Sequence, residues 1–178
     1  MIILIGPSAS GKTEIAKILI KEYGFQKFVT TTTRQMRVGE INDVDYHFIS
    51  VEDFARYIKE NKFIEYVNYN SNFYGTYKNE ISNSKVLIVE PKGLSSFLAL
   101  NDPNIISYYI DSPKDVREAR MIARKDKLED IKKRLALDDE YFESSKNCVN
   151  EIVYNDGSKS LDEIALKIYN SYKNKIKN

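Results

Sequence analysis

Cysteine is almost missing from this chain. Cys148 stands alone, so no internal disulfide can form, and the composition suits a reducing compartment. Histidine is as scarce, and with only His47 and one thiol there is no Cys/His cluster to hold zinc. Neither residue reads as chemical: His47, between Tyr46 and Phe48, reads as packing or surface, and Cys148 as a buried structural thiol. A dominant charge is lacking too. Lys and Arg number 27 against 26 Asp and Glu, a formal net charge of +1. That excludes bulk attraction to nucleic acid or anionic membrane, and any bound anion needs a local basic cluster. Long apolar runs are also absent. Ile2-Ile3-Leu4-Ile5 is far too short for a signal-peptide core or a membrane span, and no later stretch approaches about 18 apolar residues. There is no repeat and no low-complexity tract. The expectation is a soluble, cytoplasmic protein without nucleic-acid or membrane partners, with monomer and dimer both open.

What is present is an ordinary globular balance, 42% hydrophobic and 30% charged over 178 residues, which favours one domain with a proper core. Ile2–Ile5 is short, β-branched and ends at Gly6-Pro7, as a buried parallel strand does. The stretch from Glu14 to Tyr23 has apolar residues at helical spacing and Gly24 at its end. Apolar runs at Lys85–Glu90 and Asn104–Ile110 each precede a helix-compatible segment, Leu94–Leu100 and Pro113–Ala123. Ser112 is expected to cap the second of these, with Pro113 in its first turn. A strand at Glu151–Tyr154 leads to a final helix marked by Leu161, Ile164, Ala165, Ile168 and Tyr172. Strands alternating with helices predict an α/β fold, a parallel sheet flanked by helices. Residues 31–84 break the rhythm and read as a small inserted lobe, with a helix-like piece at Val51–Asn61. The charged stretch Arg120–Arg134 reads as a mobile segment over the sheet edge.

Between the first strand and helix, Gly6-Pro7-Ser8-Ala9-Ser10-Gly11-Lys12-Thr13 fits the P-loop pattern G-x-x-x-x-G-K-[ST] in full. Glycines let the backbone wrap phosphates with its N–H groups, and the adjoining helix adds its positive end. Lys12 is expected to reach the β- and γ-phosphates of ATP and Thr13 to ligate Mg2+. The motif lies in its proper strand–loop–helix context.

Two further segments bear on the acceptor. Arg34 and Arg37, three apart, suit a fork around a phosphate dianion, and Tyr46 and Tyr74 can donate phenolic hydrogen bonds. An ionised Glu65 accepts only, which matches the N1–H and N2–H edge of guanine; Thr30 and Thr76 can donate to O6 or N7. Thr30-Thr31-Thr32-Thr33-Arg34-Gln35-Met36-Arg37-Val38-Gly39-Glu40 followed by Asp45-Tyr46-His47-Phe48 resembles the T-T-R-x-x-R-x-G-E…D-Y-x-F signature of guanylate kinases. Phe63-Ile64-Glu65 with Phe73-Tyr74-Gly75-Thr76 resembles the family's second acceptor segment. The resemblance implies one P-loop NTPase-type domain over 1–178, with core 1–30 and 85–178, acceptor lobe about 31–84 and mobile lid about 120–134. It implies transfer of a phosphoryl group from ATP to GMP, giving ADP and GDP, with dGMP left open as an acceptor.

The resemblance also implies roles: Thr30, Arg34, Arg37, Tyr46, Glu65, Tyr74, Gly75, Thr76 and Glu90 toward GMP, and Lys12, Arg34, Arg120, Arg124 and Arg134 in catalysis. Lys133-Arg134-Leu135 resembles the end of the family's lid. Asn155-Asp156-Gly157 resembles its N-D loop near adenine, and reads equally as an ordinary turn. One departure stands out. Where guanylate kinases carry D-x-D, this chain has Ile88-Val89-Glu90, so the first acid is gone and the second is longer. Two readings stay open beside the kinase: a catalytically weak module of the same fold that binds phosphopeptides, and a kinase for a related phosphate ester.

Overall fold

The computed structural model describes residues 1–69 and 71–176. In chain order the elements are β1 (Ile2–Ile5), α1 (Lys12–Tyr23), β2 (Gln26–Lys27), β3 (Thr31–Thr32), β4 (His47–Phe48), α2 (Val51–Lys59), β5 (Phe63–Tyr69) and β6 (Asn72–Tyr77). Then come β7 (Lys85–Ile88), α3 (Pro91–Leu98), β8 (Ile106–Asp111), α4 (Lys114–Ala123), α5 (Leu128–Lys146), β9 (Glu151–Tyr154) and α6 (Leu161–Lys175).

The larger sheet has the order β2-β7-β1-β8-β9, with every neighbouring pair parallel. Its strands therefore end on one common edge, the edge outside which open α/β sheets take their ligands. The pleat explains the unbroken apolar run of β1. Ile2 and Leu4 pack toward Leu19 of α1 and Ile168 of α6, while Ile3 and Ile5 pack toward Phe97 of α3 and Phe142 of α5. A strand covered on both faces has no polar side to show. Gly24 closes α1 in the left-handed conformation, φ 71°, with its N–H on Leu19 O.

Residues 31–77 contribute a second sheet, β4-β3-β6-β5, in which β6 runs antiparallel to both neighbours and sets Glu65 opposite Thr76. Its small core is aromatic: Phe54 of α2 stacks on Phe63 at 4.4 Å and Phe73 at 5.4 Å. A Cβ on Gly75 would lie 2.8 Å from the Phe63 ring, so only glycine lets β6 close on those rings.

Two local expectations fail. Ser112 does not cap α4; the cap position is Pro113, without a side-chain bond, because the Ser112 hydroxyl donates instead to Asn155 O at 2.8 Å. Cys148 is exposed, not buried, because it lies just past the end of α5 where the chain turns back toward β9. The stretch Arg120–Arg134 is mostly helical. It holds the end of α4, a break at 124–127 with Lys125 at φ 63°, and the start of α5. Met121, Ile131 and Leu135 clasp the two helices together, and the buried guanidinium of Arg117 pairs with Asp139. Among the described residues, no helix is long and apolar enough to cross a membrane.

Candidate functional site

The chain leaves β1 through a loop whose glycines are forced. At Gly6 (φ 143°) a Cβ would stand 2.4 Å from Ile110 O, and at Gly11 (φ 103°) 2.5 Å from Asn155 Nδ2. The loop is pinned from behind. Asn155, 1% exposed at the end of β9, donates from Nδ2 to Ser10 O at 2.8 Å and accepts from Arg120 Nη2 at 2.9 Å. Arg120 Nη1 donates to Ala9 O at 3.2 Å, and burial holds its pKa below the ordinary arginine value. Two loop carbonyls are thus spent on the protein. Pro7 is buried, and Gly11 in the left-handed conformation starts α1, whose positive end faces the loop.

Lys12 and Thr13 share a cavity of about 390 Å³ with Arg120, Arg124 and Asn155. Lys159 and Leu161 also line it, the first outside every pattern in the sequence and the second read there only as part of the final helix. Lys12 Nζ turns back to Gly6 O at 2.6 Å and Pro7 O at 2.7 Å. Burial lowers its pKa to about 8, against the opposing pull of the Glu90 and Asp138 carboxylates. Arg134 does not line this cavity. It donates to Asp126 at 3.2 Å, and Arg124 clamps the same carboxylate at 2.6 Å. Asp126 therefore gathers two of the three arginines of this stretch.

A second cavity, about 420 Å³, opens between the two sheets and takes in Thr30, Tyr46, Glu65, Tyr74, Gly75, Thr76 and Glu90. Glu65 is aimed by α3: its Oε2 accepts from Ser96 Oγ at 3.1 Å, and Gly93 leaves room for Oε1. Arg34 does not line the cavity itself. Its guanidinium lies 5.5 Å from the Tyr46 ring, and Tyr46 meets Tyr74 edge to face at 6.2 Å. Glu40 grips Arg34 Nη2 at 2.7 Å and also accepts the Arg37 backbone N–H at 2.7 Å, while the Arg37 side chain is exposed and outside the cavity. Ile88, 37% exposed, forms part of the wall. Lys92 and Tyr141 line it as well. Tyr141 arrives from α5, far along the chain, and nothing local in the sequence marks it.

Lys12 of the first cavity and Glu90 of the second follow the ends of the neighbouring strands β1 and β7 and feel each other's charge. Glu90 lines the second cavity, and burial raises its pKa while the neighbouring Lys12 ammonium pulls it back down. Among the described residues no three His, Cys, Asp or Glu converge into a cation cage. Thr13 of the first cavity and Glu90 of the second offer few protein ligands, a set that suits a divalent cation bringing most of its oxygen ligands on a polyphosphate.

A family model described as guanylate kinase matches residues 1–170. Guanylate kinase of Chlorobaculum tepidum is 48% identical over 77 residues, 43% of this chain and 40% of that protein. Guanylate kinase of Campylobacter jejuni (strain RM1221) is 32% identical over 145 residues, 76% of this chain and 71% of that protein. In fold, the chain is similar to the crystal structure of guanylate kinase from Anaplasma phagocytophilum, with a TM-score of 0.66 at 22% identity over 98% of this chain and 84% of that one. The chain spans less than two thirds of the length of the curated relatives that match it at 40% identity or above.

Proposed function

Since the chain belongs to the guanylate kinase family, we propose that it transfers the γ-phosphoryl group of ATP to GMP. The observation that carries this reading is a pair of cavities on one sheet edge, one under the P-loop and one under an acid-and-threonine wall, with Lys12 of the first and Glu90 of the second within reach of each other's charge. ATP occupies the first, with loop N–H groups and Lys12 on its phosphates and Arg120 and Arg124 at the rim. GMP occupies the second. Glu65 accepts from the guanine N1–H and N2–H, Thr30 and Thr76 donate to its acceptor edge, and Tyr46, Tyr74 and Arg34 take the phosphate. Arg37 and Arg134 join when their exposed side chains turn inward, the second as part of a lid over 120–134.

Thr13, with Glu90 nearby, would hold the Mg2+ that accompanies ATP, and the ion would supply positive charge against the phosphates. This chain supplies no general base and needs none, because the second ionisation of a phosphate monoester has a pKa of about 6 and the acceptor oxygen is already charged near neutrality. Catalysis then rests on alignment and on positive charge placed where the transferring group spreads its own.

The test offers ATP and Mg2+ with each nucleoside monophosphate in turn and follows ADP release. Turnover with GMP well above AMP, CMP and UMP is expected, with Lys12→Ala lowering kcat by about 100-fold or more. No turnover with GMP, or a rate untouched by Lys12→Ala, would sink the proposal.

A further inference from the structure

Asp138 of α5 is a carboxylate held against the phosphate loop that the transfer reaction leaves without a task. Its Oδ2 accepts the backbone N–H of Ser8 at 2.6 Å, in the middle of the phosphate loop. It also lies near enough to the Lys12 ammonium to hold up that group's pKa. A loop N–H and the P-loop lysine are the kinds of group that grip phosphate oxygens. Here an acid of the chain itself engages the first and faces the second, while Lys12 bonds back to loop carbonyls.

The position is not that of a cation ligand. A carboxylate oxygen aimed at an N–H sits where an anion sits, because the positive end of that dipole repels a cation. Nor does Asp138 drift there. The next residue, Asp139, pairs with the buried Arg117 of α4 and lies 3.8 Å from Lys114, so α5 is moored on α4 with Asp138 turned to the loop.

We propose that Asp138 is an internal competitor for the phosphate loop, occupying it when nucleotide is absent and swinging away before a polyphosphate can seat. The proposal rests on the loop being the donor site. With the helix moored by Asp139, release takes place by rotation of the Asp138 side chain. The contact lowers the apparent affinity for any nucleoside polyphosphate, with or without metal.

Calorimetric titration of the whole protein with ADP, in EDTA and again in Mg2+, tests this in wild type, Asp138→Asn and Asp138→Ala. Asparagine keeps an acceptor for Ser8 but loses the charge; alanine removes both. Tightening of about threefold for asparagine and about tenfold for alanine is expected in both buffers, tenfold being about 1.4 kcal/mol. Unchanged or weaker binding overturns the proposal, and weakening confined to Mg2+ overturns it by assigning the carboxylate to the cation. Wild-type ADP binding and its loss in Lys12→Ala report separately on the donor-site reading. If wild type binds ADP and the Asp138 variants bind no tighter, only the competitor is refuted.

Discussion

Lys12 holds its charge in a place that disfavours it. Its pKa is lowered from 10.5 to about 8, mainly by burial. Below about pH 8 the lysine is charged in folded and unfolded chains alike, and the fold bears the whole cost. Between about 8 and 10.5 the folded protein has released this proton and the unfolded chain still holds it, so this group makes the nucleotide-free protein more stable as pH rises through that window. Phosphates brought beside Lys12 favour the ammonium again. Binding of ADP at pH 9 should therefore take up a proton, seen as a dependence of the calorimetric enthalpy on the ionisation heat of the buffer. The dependence should shrink in Lys12→Arg, since arginine does not titrate there. A buffer-independent enthalpy in wild type would contradict the lowered pKa.

At the scale of elements, the acceptor wall depends on how closely α3 lies against β5. A Cβ at Gly93 would come within 3.2 Å of Glu65 Oε1 and 3.3 Å of Val89 Cβ. Gly93→Ala leaves the helix intact, even favours it, but pushes the Glu65 carboxylate off its line. KM for GMP should rise about tenfold with the melting temperature nearly unchanged, since a displaced charged hydrogen bond is worth roughly 1.5–3 kcal/mol. A matching fall in melting temperature would mean that the helix packing, not Glu65, had been disturbed. Such contacts also mark where sequence reading ends. The rhythm of strands and helices was legible because burial on two faces writes itself into runs such as Ile2–Ile5, and the P-loop because its chemistry is local. Glu65 could be chosen from the sequence by its place in the Phe63-Ile64-Glu65 segment, but its aim by Ser96 and Gly93 could not. Asp126 gathers Arg124 and Arg134 from within the same stretch, whereas the arrival of Tyr141 and Asp138 from α5 arises from packing between distant segments. The diversion of Ser112 to Asn155 has the same origin: a hydroxyl that would cap a helix in isolation found a carbonyl on a neighbouring strand.

Across the whole molecule, the two cavities are chemically distinct yet lie on one sheet edge, with Lys12 of one and Glu90 of the other coupled by charge. A compound joining adenosine and guanosine 5′ to 5′ through a polyphosphate should fill both. The second half then binds at high effective concentration, and affinity should exceed that of ATP alone by about 100-fold or more, with a correspondingly larger thermal shift. Affinity no better than that of ATP would place the cavities too far apart for direct transfer.

The placement of β1 bears on how the protein comes to be made. Its residues pair with Val86 on one side and Ile106 on the other, so this strand leaves the ribosome long before the partners it needs. Until then four of the most oily residues of the chain stay unclaimed, and the nucleotide loop behind them has no scaffold. Nascent chains that stop short of β8 should be held by chaperones and unable to retain nucleotide, whatever the integrity of their P-loop.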